Sequence, residues 1–117
     1  MKISQIAVNV ENVERAVEFY RDVLGLPLLF ETNGLAFFQC EETRLLLSRP
    51  ETKEFDHPSS VLYFKIDNLQ AEVTRMRDNG AIFIDEPHMV AKMGDTETWM
   101  SFFKDTEGNT HALMSEI

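Results

Sequence analysis

The sequence repeats itself once, and that repeat constrains the fold more than any other feature. Gln5-Ile-Ala-Val-Asn-Val-Glu-Asn-Val13 lies over Val61-Leu-Tyr-Phe-Lys-Ile-Asp-Asn-Leu69. Each copy alternates like a strand, passes an acidic residue and an asparagine, and enters an amphipathic run. The first run places Val13, Ala16, Val17, Tyr20 and Leu24 on one helical face; the second does so with Leu69, Val73 and Met76. Asn12 and Asn68 suit the N-cap, where a short amide oxygen accepts an orphan backbone N–H. Gly25 and Gly80 follow the helices and suit the left-handed position beyond a helix end. Further on, Leu35–Gln39 lies over Met100–Lys104, and Arg44–Leu47 over Thr110–Leu113. The copies differ in length at the turns Glu41-Glu42-Thr43 and Asp105-Thr106-Glu107-Gly108-Asn109, whose acidic residues are expected to be solvated. Gly108 supplies the positive φ that a tight hairpin needs.

Each half therefore predicts a strand, a helix and about three strands. The expected fold is α+β: two tandem βαβββ modules at about 1–49 and 61–117 in a single domain, 1–117. The joint, 50–60, is polar and bracketed by Pro50 and Pro58, and reads as a loop. Two such modules, each with one open sheet face, are expected to join into one curved mixed sheet. Helices would cover its outer face, and the inner face would enclose a cup.

Charge narrows the partners. Eleven Lys and Arg against twenty Asp and Glu give a formal net charge of −9. That surface repels phosphate backbones and anionic lipid, so neither nucleic acid nor membrane is an expected partner. No apolar run approaches the roughly 18 residues of a membrane span, and the opening residues do not read as a signal peptide. A single cysteine, Cys40, makes neither an internal disulfide nor a CxxC motif, so a cytoplasmic location is expected. Phosphate-cradling glycine loops, HExxH, GxSxG and EF-hand patterns are absent from the sequence, which leaves nucleotide-dependent and serine-hydrolase readings without support.

Three segments together resemble a known family over nearly the whole chain: the opening Gln5-Ile-Ala-Val, the helix Arg15-Ala-Val-Glu-Phe-Tyr-Arg-Asp-Val-Leu-Gly-Leu26, and Phe103-Lys-Asp-Thr-Glu-Gly-Asn109. They are similar to the vicinal oxygen chelate superfamily, which includes glyoxalase I, bleomycin-resistance proteins and extradiol dioxygenases. The resemblance implies the same paired-module cup. It also implies, in the metal-dependent members, one ligand from each of four strands. Carried over residue by residue, those positions are Gln5, Leu46, Val61 and Ala112. Only Gln5 has a lone pair to offer. Catalytic zinc sites normally have three protein ligands, and the iron oxygenases two His and a carboxylate. A one-residue slip does not rescue the set, because it turns whole strands over and yields only Leu45 or Leu47, Ser60 and His111. No metal and no cofactor is therefore expected.

Taking those four positions as inward, strand alternation fills out the cup. The first strand offers Gln5, Ala7 and Asn9, and its repeat Val61, Tyr63 and Lys65. The fourth strand offers Arg44, Leu46 and Ser48, and the last strand Thr110, Ala112 and Met114. The resemblance turns Met100 and Phe102 inward, and the repeat then adds Leu35 and Phe37. An apolar floor with a polar rim suits a small organic molecule. His88 is the candidate acid or base near the mouth. His111 is expected to face the helices, His57 to be solvated in the joint, and Trp99 to point away from the cup. Cys40, beside Glu41 and Glu42, is not expected to be a nucleophile.

The expected function is therefore binding of a small organic molecule without the family metal. The alternative is a metal-dependent lyase, isomerase or dioxygenase of the same superfamily. Open sheet edges and the resemblance both point to a homodimer.

Overall fold

The computed structural model describes residues 1–32 and 34–117. The chain divides into two compact units, Met1–Ser60 and Val61–Ile117. In the first, β1 (Gln5–Asn9) leads to α1 (Val13–Glu18), then β2 (Leu28–Thr32), β3 (Leu35–Cys40) and β4 (Thr43–Ser48). These strands form one sheet in the order β1-β4-β3-β2, with β1 and β4 parallel. In the second, β5 (Leu62–Lys65) leads to α2 (Leu69–Asp78), then β6 (Ile82–Phe83), β7 (His88–Met93), β8 (Thr96–Lys104) and β9 (Thr110–Glu116). Its sheet runs β5-β9-β8-β6, with β7 also on β8 and with β5 and β9 parallel.

The repeat is visible in the register. Phe37 faces Leu46 in the first sheet, and its counterpart Phe102 faces Ala112 in the second. Ala7 pairs with Leu46 as Tyr63 pairs with Ala112. Both helix starts form as expected. The Asn12 side chain accepts from the Arg15 N–H at 3.0 Å, and Asn68 from the Ala71 N–H at 3.0 Å. Gly25 and Gly80 end the helical runs at φ of +85° and +97°. The helical faces read from the sequence are buried: Val13, Ala16, Val17, Tyr20 and Leu24 in one unit, Leu69, Val73 and Met76 in the other. Beyond Glu18 the first helix loosens into a π-helical turn, Phe19–Val23, closed by Leu24 N–H to the Phe19 carbonyl. Nothing in the side-chain pattern signals that change of pitch.

Each helix packs on one face of its own sheet. In the first unit that face supplies Val8, Ala36, Phe38, Leu45 and Leu47; in the second it supplies Ser101, Phe103, His111, Leu113 and Ser115. Phe37, Leu46, Tyr63 and Phe102 therefore stand on the opposite, open faces.

The second unit departs from the expected three strands after its helix. Where the first unit has a continuous β2, the second has β6 and β7, separated by 84–87. At the break, Ile84 N–H still donates to the Phe102 carbonyl at 2.8 Å, but the Phe102 N–H is taken by the Asp85 side chain at 2.8 Å. A carboxylate stands in for a strand carbonyl, and Pro87 has no N–H to continue the ladder.

Candidate functional site

The open face of the first sheet centres on Leu46, flanked in register by Ala7 and Phe37. The Arg44 guanidinium lies over the Phe37 ring at 6.0 Å, and Phe30 packs on the other side of Phe37 at 6.3 Å between centroids. Gln5 and Arg44 pair at one end of the face, and Asn9 and Ser48 at the other. The structure thus places Gln5, Ala7, Asn9, Phe37, Arg44, Leu46 and Ser48 on one face, as alternation requires. Phe30 was missed, because β2 offered no alternating pattern to assign its side.

Asn9 does a different job from the one expected. Its amide nitrogen donates to the Phe55 and His57 carbonyls, both at 2.8 Å, and its backbone N–H donates to Ser59 Oγ at 2.9 Å. The joint 50–60, with its short 3-10 turn at Lys53–Phe55, is fastened to the end of β1 by this residue. The amide N–H groups are consequently not available as handles for a ligand.

On the second sheet the centre is Ala112, between Tyr63 and Phe102. Those rings meet edge to face across it at 5.9 Å, so Ala112 is fully buried and offers no contact surface of its own. Met100, Met114 and Lys65 form the next row; Lys65 also reaches Glu116 at 3.8 Å. Val61, just ahead of β5, is exposed. His88 faces Met100 across β7 and β8, so it lies at the margin of the same open face. Its Nδ1 is 2.9 Å from the Glu86 carbonyl, which can only accept. In the neutral ring this contact puts the proton on Nδ1 and the lone pair on Nε2. Asp85 Oδ2 lies 3.8 Å from the same Nδ1.

The remaining candidates resolve individually. His111 is fully buried on the helix side, between Phe64 and Phe103 at 5.7 and 5.9 Å. Its Nδ1 accepts the Leu62 N–H at 3.3 Å, and its Nε2 is 4.0 Å from Asp105 Oδ2. Burial pushes this imidazole below its ordinary 6.5, with Asp105 opposing. Asp105 itself corrects the expectation of a solvated acidic turn. It is 6% exposed and accepts from the Glu107 N–H, the Asn109 N–H and Asn109 Nδ2, each at 2.8 Å. The turn's backbone donors outweigh the carboxylate's preference for water. Burial raises the Cys40 thiol, and Glu41 adds to the rise, so it is a poor nucleophile. His57 is exposed in the joint.

Gln5, Leu46, Val61 and Ala112, to which the resemblance carries the family's metal ligands, are one neutral amide and three hydrocarbon side chains. Hydrocarbon side chains cannot replace an ion's hydration, and a single neutral amide replaces little of it. No three His, Cys, Asp or Glu among the described residues cluster as metal ligands do. Nor is any described helix long and apolar enough to cross a membrane.

Comparison with known proteins agrees with the architecture. A glyoxylase-like domain-containing protein from Didymella fabae is 29% identical over 122 residues, covering 96% of this chain and 91% of that protein. The fold matches TnmS3, an antibiotic binding protein from Streptomyces sp. CB03234, with a TM-score of 0.79 at 22% identity over 100% and 97% of the two chains. It also matches lactoylglutathione lyase from Agrobacterium tumefaciens, with a TM-score of 0.76 at 21% identity over 97% and 92%. The family profile described as Glyoxalase/Bleomycin resistance protein/Dioxygenase superfamily matches residues 2–113, and the chain belongs to that superfamily.

Proposed function

We propose that this protein binds a small organic molecule on its open sheet faces, without a metal. The observation that supports this reading is the exchange of ligands for hydrocarbon. Leu46, Val61 and Ala112 stand where the resemblance would put metal ligands, while Phe37 beside Leu46, and Tyr63 and Phe102 beside Ala112, present aromatic surface on the open faces. Aromatic and apolar surface with a few polar groups is what a small-molecule site requires. Arg44, Ser48 and Lys65 supply the polar groups. The likeness to an antibiotic binding protein is in keeping with a sequestering role. On the same reading the protein works as a homodimer in the cytoplasm, with Cys40 reduced.

A metal-dependent lyase, isomerase or dioxygenase is the second reading, and the likeness to lactoylglutathione lyase favours it. In that case His88 Nε2 is the group placed to move a proton. Elemental analysis separates the two. Protein purified without chelator, then dialysed against mixed divalent metals, is expected to retain well under one metal per chain. One tight metal per chain would sink the metal-free reading. A thermal-shift screen of apolar small molecules should then find stabilising ligands, and Tyr63→Ala should weaken them roughly tenfold. A Tyr63→Ala protein that binds unchanged would remove the second sheet's open face from the site.

A further inference from the structure

The helix side of the second unit holds a cleft that the function above does not use. It has a volume of about 450 Å³ and is lined by Asn68, Leu69 and Gln70 at the head of α2, by Trp99 and Ser115, and by Pro87. Trp99 and Ser115 are register partners in β8 and β9, so both side chains leave the sheet on its helix face.

Three features give the cleft chemistry. Ser115 is 4% exposed, and its hydroxyl has no hydrogen-bond partner among the described residues. No fully buried side-chain nitrogen or oxygen among the described residues lacks a partner, so this hydroxyl must open onto the cleft it lines. The Leu69 and Gln70 N–H groups belong to the first turn of a ten-residue helix and have no carbonyl four residues back to bond. Asn68 caps only Ala71. The Trp99 indole N–H is already given to Glu97 Oε1 at 2.9 Å, so the indole offers its ring and not its donor.

Donors without acceptors ask for an acceptor, and Leu69, Pro87 and Trp99 ask for an apolar body. The electrostatics then decide the charge. Asp67 also lines the cleft, and the chain carries a net charge of −9. An anion at the helix head would meet that field.

We propose that the cleft at the head of α2 is a second small-molecule site, which takes a neutral aromatic or alicyclic molecule bearing one carbonyl-type acceptor. The carbonyl accepts from Ser115 Oγ and from the first-turn N–H groups, and the ring lies against Trp99. The repeat provides an internal contrast. The corresponding place in the first unit has Gly34 for Trp99 and Arg49 for Ser115, with Glu11 and Glu14 alongside. The described residues that line it include neither an aromatic ring nor a hydroxyl.

The chain has one tryptophan, so its indole N–H gives a single cross-peak in a nitrogen–proton NMR spectrum. Titration of the intact protein with acetophenone is expected to shift that peak, together with the Leu69, Gln70 and Ser115 amides, and to saturate with a Kd of ~1 mM for a ligand of this size. Benzoate, the anionic counterpart, should bind about tenfold more weakly or worse. Ser115→Ala removes a hydroxyl that bonds nothing, so the variant should fold normally and bind acetophenone about fivefold more weakly. The proposal is overturned by the absence of a saturable shift up to the solubility limit, by benzoate binding as well as acetophenone, or by an unchanged Ser115→Ala affinity. Shifts centred on Tyr63 and Phe102 instead would also overturn it, while leaving the open-face reading intact.

Discussion

The two units share a plan and differ in what they bury. On the helix side of the first sheet the core is hydrocarbon: Ala36, Phe38, Leu45 and Leu47. The corresponding residues of the second are Ser101, Phe103, His111 and Leu113. Phe38 and Leu47 persist in kind, as Phe103 and Leu113. Ala36 has become a serine that donates to the Asp85 carbonyl at 2.9 Å, and Leu45 an imidazole beside a buried carboxylate. The same topology therefore tolerates either a dry core or a hydrogen-bonded one, provided that groups enclosed as fully as Ser101 and His111 find partners. The cost of the second solution is dependence: each buried partner now needs the other.

That dependence can be broken, and the largest effect should come from Asp105. Asp105→Ala strips the acceptor from three N–H donors at once, so urea denaturation should register a loss of about 3 kcal/mol. Cys40 holds the corresponding place in the first unit, where no such network is found among the described residues, and Cys40→Ala should cost no more than about 1 kcal/mol. Equal losses would mean that the buried carboxylate organises nothing.

The next contrast is pH. The folded His111 has a pKa lowered from 6.5 by burial, so the unfolded chain takes up its proton first as pH falls. This residue's contribution is present in full above the ordinary value and is lost progressively below it. Leu45, at the matching position, has nothing to titrate. His111→Leu should accordingly flatten the acid limb of the stability curve. The variant also leaves the Leu62 N–H without its acceptor, so the shape of the curve and not its height is the readout. An acid limb as steep as the parent's would show that other groups produce it.

The smallest effect tests what the units share. Asn12→Ala and Asn68→Ala should each cost about 1 kcal/mol, since each asparagine accepts the N–H three residues on at the same distance, 3.0 Å. A marked inequality between them would show that the two helix starts are less alike than their geometry.

What could be read from the sequence follows this division. The helix faces, the caps, the glycine stops and the open sheet faces were all legible, because each rests on a period of 3.6 or 2 or on one residue's own conformational preference. The features that escaped depend on a side chain replacing something else. Asp85 stands in for a strand carbonyl and splits β6 from β7. Asp105 reads as a surface acid until its turn folds around it. Asn9, a rim group by alternation, is engaged by a segment some 46 to 50 residues further along the chain. The cleft beside Trp99 was invisible for a related reason. The sequence indicated that Trp99 leaves the open face, but not that the helix head leaves room next to it.

The strand orders β1-β4-β3 and β5-β9-β8 have a consequence for synthesis. In each unit the strand at the centre of the pairing is the last one made. Until β4 or β9 emerges, β1 or β5 has no neighbour to pair with, and the strands already paired, β2 with β3 or β6 and β7 with β8, expose a bare edge where the last strand will insert. A stalled or shortened chain would therefore lose the keystone of a sheet rather than its margin, and the exposed edges are of the kind that recruit other chains.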